Sequence, residues 1–178
     1  MRPKHLSVPD GTYLITFRCS RGRDPFNERY HCKVFRQMLK NKSKELAFKV
    51  YAYVIMADHI HLLLNTGKAH SLAKIINHIK GASARICNQI LGTTGQPFWQ
   101  DGFIDSYVDS QQHLIHCINY IHMNPVAAGI CRSPEEYDAS SAIGFTRYNS
   151  IPSSIIDSKD GNVARYIEEF SLRFLDEA

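Results

Sequence analysis

The residues of this chain that can do chemistry fall into two groups. The first is His59-Ile60-His61. In an extended strand, residues two apart project from the same face, so the two imidazoles stand together, about 6–7 Å apart at their backbones. That spacing suits a grip on one metal ion, and Asp58, immediately before, is placed to orient a ligand from behind. The same pattern also fits two surface histidines on a half-buried strand. The flanking residues Ile60 and Leu62-Leu63-Leu64 belong in a core. A strand with that apolar face has no structural need for histidine on its other face.

The second group is His113, His116, Tyr120 and Asn124, spaced by three, four and four. At helical spacing they form one stripe, away from Leu114, Ile118 and Ile121. Such a stripe fits a solvated helix face. It also presents a phenol hydroxyl, which can attack a phosphodiester and hold one DNA end as a phosphotyrosine. A metal on the histidine pair would polarise that phosphate and stabilise the leaving oxygen. Asn124, one turn beyond Tyr120, is a candidate third ligand. With an amide oxygen beside two imidazoles, Mg2+ or Mn2+ fits better than a closed zinc site.

The elements that must position these groups follow from periodicity. Gly11 to Arg18 alternates around β-branched and aromatic residues and predicts a strand. Tyr30 to Leu39 predicts a helix, and Leu46 to Ile55 and His59 to Leu64 predict two strands. Leu72, Ile75, Ile76, Ile79, Ile86 and Ile90 predict a long helix capped by Ser71. Phe103 to Val108 predicts a strand. Ser110 opens a helix that Asn124-Pro125 ends or breaks, because the residue before proline avoids the helical region. The order is βαββαβ and then a helix, the split βαβ (ferredoxin-like) pattern of an α+β protein with an antiparallel sheet and helices on one face. Val163, Ile167, Phe170 and Phe174 predict a further C-terminal helix. The expected division is one domain over residues 1–148 and a C-terminal extension over 149–178.

The net charge of +4 over 178 residues is unevenly spread. Residues 1–50 carry 12 Lys/Arg against 4 Asp/Glu, whereas residues 101–150 carry 2 against 6. A basic front half fits a polyanion partner as well as an ordinary solvated surface. Lys74, Lys80 and Arg85 lie off the apolar stripe of the long helix. With Arg18, at the end of the first strand, they are the candidate DNA-binding cations, although solvated cations have the same pattern. Four sheet aromatics, Tyr13, Phe17, Tyr51 and Tyr53, leave room for a different reading, a non-catalytic nucleic-acid binder that stacks bases. Five cysteines, an odd number without a C-x-x-C pair, predict reduced thiols rather than a disulfide framework or a cysteine zinc site. The apolar runs are far too short to span a bilayer, and no signal-peptide stretch follows Met1, so a cytoplasmic protein is expected.

Met56-Ala-Asp-His-Ile-His-Leu-Leu-Leu64 resembles the signature segment of the IS200-like transposases, including their REP-associated tyrosine branch, within the wider HUH nuclease group. Phe98-Trp-Gln-Asp-Gly-Phe103 and Tyr120-Ile-His-Met-Asn-Pro-Val-Ala-Ala-Gly129 resemble two further segments of that branch, and Glu136-Tyr-Asp-Ala-Ser-Ser141 a weaker fourth. The resemblance covers about residues 11 to 148, with the segments in the family's order. It implies a ferredoxin-like fold, a divalent metal, and cleavage of single-stranded DNA through a 5′-phosphotyrosine followed by rejoining. Position by position it makes His59 and His61 metal ligands, Tyr120 the nucleophile and Asn124 the third ligand. It implies structured repeat ends, such as hairpins, as the DNA. Insertion-sequence members work as homodimers, whereas the REP-associated type suggests a monomer. Two departures stand out. Ala57 replaces a usual proline before the Asp-His pair, and Asn124 stands where simpler members often have glutamine.

Overall fold

The computed structural model describes residues 8–143. The predicted C-terminal helix and the expected boundary at residue 148 lie outside them. The elements are β1 (Thr12–Arg18), α1 (Arg29–Leu46), β2 (Lys49–Ile55), β3 (His59–Asn65), α2 (Leu72–Ile90), β4 (Ile104–Tyr107) and α3 (Gln111–Ala127). Short 3-10 turns occupy Pro25–Asn27 and Pro134–Glu136. The sheet order is β2-β3-β1-β4, with every neighbouring pair antiparallel. This is the α+β, ferredoxin-like arrangement that the element order predicts.

Strand alternation divides the core into two. Tyr13, Ile15, Phe17, Tyr53, Ile55, Ile60, Leu62 and Leu64 pack on one side, beneath the apolar stripes of α1 and α2. Ala52, Val54 and Leu63 pack on the other, against Leu114, Cys117, Ile118 and Ile121 of α3. The run of buried residues in β2 and β3 therefore reflects strands covered on both faces of the sheet. The cover is uneven. Helix α3 lies over β2 and β3, while Thr16 and Leu14 of β1 are only half-buried and Ile104 of β4 is 72% exposed. The side of the sheet that carries α3 is thus half open.

Three expectations are corrected. Helix α1 does not stop at Leu39 but runs to Leu46. The polar stretch that follows keeps Ser43 and Leu46 buried at helical spacing from Leu39, so the apolar stripe continues through it. Leu46 therefore ends a helix instead of opening a strand, and the turn is made by Ala47 in the left-handed conformation, φ 53°. Pro125 does not end the last helix, which continues to Ala127. Proline removes one ladder hydrogen bond, but Pro125 is buried and the ladder resumes beyond it, Ala128 N–H donating to Asn124 O at 3.0 Å. The helix closes instead at Gly129, φ 71°. Gly129 N–H donates to Val126 O at 2.9 Å and Ile130 N–H to Pro125 O at 2.9 Å, a Schellman closure that favours glycine. Finally, Tyr13, Phe17, Tyr51 and Tyr53 are each at most 4% exposed. They are core residues and give no stacking platform.

Cys19, Cys32, Cys87, Cys117 and Cys131 are all free thiols, four of them buried. The Phe98-Trp99-Gln100 segment also has a structural task. Trp99 Nε1–H donates to Ser83 Oγ of α2 at 3.0 Å, and Gln100 Nε2–H donates to Cys19 O at 3.0 Å. These bonds fasten the approach to β4 onto both α2 and the end of β1.

Candidate functional site

His59 and His61 occupy alternate positions of β3, next to its edge-covered neighbour β2 and directly paired with β1. Their rings meet edge to face with centroids 4.9 Å apart. Each ring is held through Nδ1. His59 Nδ1 lies 2.6 Å from Asp58 Oδ1, and His61 Nδ1 lies 2.7 Å from Thr16 Oγ1. Both contacts leave Nε2 for a ligand from outside the protein.

The electrostatics keep His61 neutral where it matters. His61 is 5% exposed. Burial, then the nearby His59 and Arg18, push its pKa down to about 4. At neutral pH it is an uncharged imidazole with a lone pair to give. Asp58 is tuned by the same neighbours. Burial would raise its pKa, but the hydrogen bond and charge of His59 and the charge of Arg18 leave it lowered. Arg18 Nη1–H donates to Asp58 Oδ2 at 3.3 Å, so one carboxylate serves both neighbours.

Tyr120 completes the cluster. It lies on α3, and its ring is 5.2 Å from that of His61 at an interplanar angle of 76°. Both belong to one chain, so a single copy brings the two predicted groups together. Tyr120 is 45% exposed, which leaves it open to a large substrate. Asn124 lies one turn further along α3 and is half-buried. His113 is engaged with Asp109, its Nδ1 lying 3.1 Å from Asp109 Oδ1.

The four candidate cations separate. Arg18 is directly opposite His59 in the β1–β3 pairing and belongs to the site. Lys74, Lys80 and Arg85 are on α2, on the other side of the sheet from the histidine pair. Lys80 is engaged within the protein, its ammonium donating to Gln100 O at 2.8 Å and Gly102 O at 2.5 Å. Lys74 and Arg85 are exposed on the outer surface of α2.

Periodicity alone misses two features. Thr16 is a half-buried strand residue whose role depends on lying opposite His61. The segment after the 3-10 turn closes the free edge of β2. Tyr137 Oη–H donates to Ile55 O at 2.8 Å, Ile55 N–H to Ala139 O at 2.9 Å and Ser141 N–H to Tyr53 O at 3.0 Å. Ser141 Oγ also accepts from Tyr53 N–H at 3.0 Å and lies 2.8 Å from His122 Nε2. This fixes α3, and with it Tyr120, against β2. The Glu136–Ser141 segment carries the signal, but its role along the sheet edge is not readable from its composition.

The chain is thus a small ferredoxin-like α+β protein whose site sets a tyrosine from the following helix against a histidine pair on the sheet. It belongs to the IS200-like transposases, a family of DNA-processing enzymes. The model of that family, described as "Transposase IS200 like", matches residues 7–124, a span that contains His59, His61, Tyr120 and Asn124. Among solved structures, the fold is similar to that of a REP-associated tyrosine transposase bound to a REP hairpin. That protein is 18% identical, with a TM-score of 0.72 over 90% of this chain and 93% of the other. A proposed transposase from Deinococcus radiodurans R1 is 17% identical, with a TM-score of 0.49 over 68% of this chain and 93% of the other. No curated protein sequence matches significantly. Among the described residues, no helix is long and apolar enough to cross a membrane.

Proposed function

We propose that the protein cleaves and rejoins single-stranded DNA through a covalent 5′-phosphotyrosine on Tyr120, assisted by a divalent metal, Mg2+ or Mn2+. The observation that carries this reading is the placement of the Tyr120 ring against His61, itself in contact with His59. The donor set fits a divalent ion: two imidazoles fixed through Nδ1 with Nε2 available, and the amide oxygen of Asn124 one turn from Tyr120. When bound, the ion would polarise the scissile phosphate and stabilise charge on the departing oxygen.

The chain's own residues do the rest. Tyr120 Oη attacks phosphorus and loses its proton. The bond from phosphorus to the 3′-oxygen breaks, and that oxygen leaves as a 3′-hydroxyl. The strand's 5′ end stays on the enzyme as a tyrosyl phosphodiester. Attack by a 3′-hydroxyl on that ester reforms a DNA phosphodiester and returns the phenol. A phenoxide is a far better leaving group than an alkoxide, so tyrosine departs readily in the second step. Arg18, beside His59, is placed to take a phosphate oxygen of the bound strand.

The half-open sheet suits an extended strand, and a structured end is the expected substrate because the similar solved structure holds a REP hairpin. Lys74 and Arg85, exposed on the far side of the sheet, are two cations available to a second portion of such a DNA. The rival reading, a binder that stacks bases on sheet aromatics, loses its support because those aromatics are buried.

The test uses hairpin oligonucleotides labelled at the 3′ end. With Mg2+ or Mn2+, the wild-type protein is expected to retain the label through denaturation, and Tyr120→Phe and metal-free samples are not. A wild-type protein that yields no adduct with any hairpin would return the chain to the non-catalytic reading. Cleavage that persists in Tyr120→Phe would assign the nucleophile to water.

A further inference from the structure

We infer that Thr16 is a positioning residue of the site, its hydroxyl accepting the Nδ1 proton of His61 and so keeping Nε2 of that ring unprotonated. The inference rests on the proposed function, because the 2.7 Å contact admits a donating or an accepting hydroxyl and it is a cation held by both rings that needs Nε2 of each unprotonated.

At His59 the partner decides the tautomer. Its Nδ1 faces Asp58, an ionised carboxylate, which can only accept. The proton of neutral His59 is therefore on Nδ1, and Nε2 carries a lone pair. His61 has no such carboxylate. Its Nδ1 faces Thr16 Oγ1 at 2.7 Å, and a hydroxyl can donate or accept. Left to itself, a neutral histidine side chain favours the form with its proton on Nε2. In that form His61 would present a proton to the site, and the pair would offer a cation one lone pair instead of two. A hydroxyl that accepts from Nδ1 reverses that preference and makes the two rings chemically alike.

The fold makes Thr16 suited to the task. It is the direct antiparallel partner of His61 in the β1–β3 ladder, so its Cβ is held beside the ring by the sheet itself. Its branched Cβ restricts the side-chain rotamer. Thr16 is half-buried, and His61 is 5% exposed, so water competes poorly for the contact. Valine has the same shape without the oxygen and is at home in a strand, so Thr16→Val removes the hydrogen bond and spares the fold. Serine restores the oxygen.

Two measurements on the full chain test the inference. Long-range 1H–15N spectra of metal-free protein at pH 8 report the tautomer of each histidine. The expected result is a proton on Nδ1 of His61 in the wild type and in Thr16→Ser, and on Nε2 in Thr16→Val. A wild-type His61 with its proton on Nε2, or no change in Thr16→Val, overturns the inference. Mn2+ titration followed by electron paramagnetic resonance is the second. Thr16→Val is expected to bind roughly 10-fold or more weakly than wild type, within the range for loss of a ligand-orienting partner, and Thr16→Ser to recover. If Mn2+ binding disappears in His59→Ala but is unchanged in Thr16→Val, the positioning role fails and the metal site stands. If the tautomer responds as expected but the wild type binds no Mn2+ through His59, the positioning role stands and the metal reading fails.

Discussion

Acidification from pH 7 to pH 5 is expected to weaken the fold through His122. This residue faces the sheet from α3, is 8% exposed, and has Nε2 2.8 Å from Ser141 Oγ. Burial lowers its pKa from 6.5 to about 4. The folded state therefore holds the neutral form, and the unfolded chain takes up a proton as pH falls below 6.5. Stability is complete above that pH and is lost as pH falls through the window down to about 4. With those two pKa values, the loss at pH 5 from this residue is about 2 kcal/mol, since a tenfold difference in proton affinity between the two states is worth about 1.4 kcal/mol. His61, with its pKa also lowered to about 4, adds a similar contribution over the same window. Urea denaturation at pH 7 and pH 5 in the presence of a chelator measures the total. His122→Gln isolates the share of one residue. The variant loses stability at both pH values, but its drop between them should be about 2 kcal/mol smaller than that of the wild type. Equal drops in the two proteins would refute the effect of burial on His122.

Three further perturbations separate structural from functional roles. Trp99→Phe removes the indole N–H that reaches Ser83 and leaves that site short of a donor; it is expected to cost about 1–3 kcal/mol in urea denaturation, and an unchanged midpoint would mean the bond contributes nothing. Arg18→Ala breaks an exposed pair with Asp58, so the melting temperature should barely move. Its affinity for single-stranded DNA should fall, with the salt dependence reduced by about one phosphate contact; an unchanged salt slope would remove Arg18 from the DNA surface. Lys80→Met is expected to lower stability by about 1–2 kcal/mol through lost bonds to the 100–102 loop. A large loss of DNA affinity without a loss of stability would instead restore Lys80 to the DNA-binding set.

Much of this site is legible in the sequence because two periodicities govern it. A period of two places His59 and His61 on one face of β3, and a period near four places Tyr120 and Asn124 on one stripe of α3. The βαββαβ order then predicts the sheet on which the groups meet. What is not legible depends on partners far apart in the chain. Thr16 matters because the register sets it opposite His61, and nothing within its own strand marks it. Lys80 looks like any solvated lysine until the 100–102 carbonyls are seen to receive it. The polar residues after Leu39 hide a continuing helix, because only Ser43 and Leu46 carry its buried side. Pro125 misleads because local backbone preference yields to packing where the residue lies on the buried face of the helix.

Everything proposed for the site turns on Tyr120, set against the histidine pair, becoming covalently joined to DNA. Mass spectrometry can see that bond itself. The protein is trapped on a 3′-labelled hairpin oligonucleotide in Mn2+, then digested with protease and nuclease. A nucleotide-sized mass addition is expected on the peptide that contains Tyr120, and none in His59→Ala. An addition on a different tyrosine, or strand cleavage with no modified peptide, would contradict the role given to Tyr120.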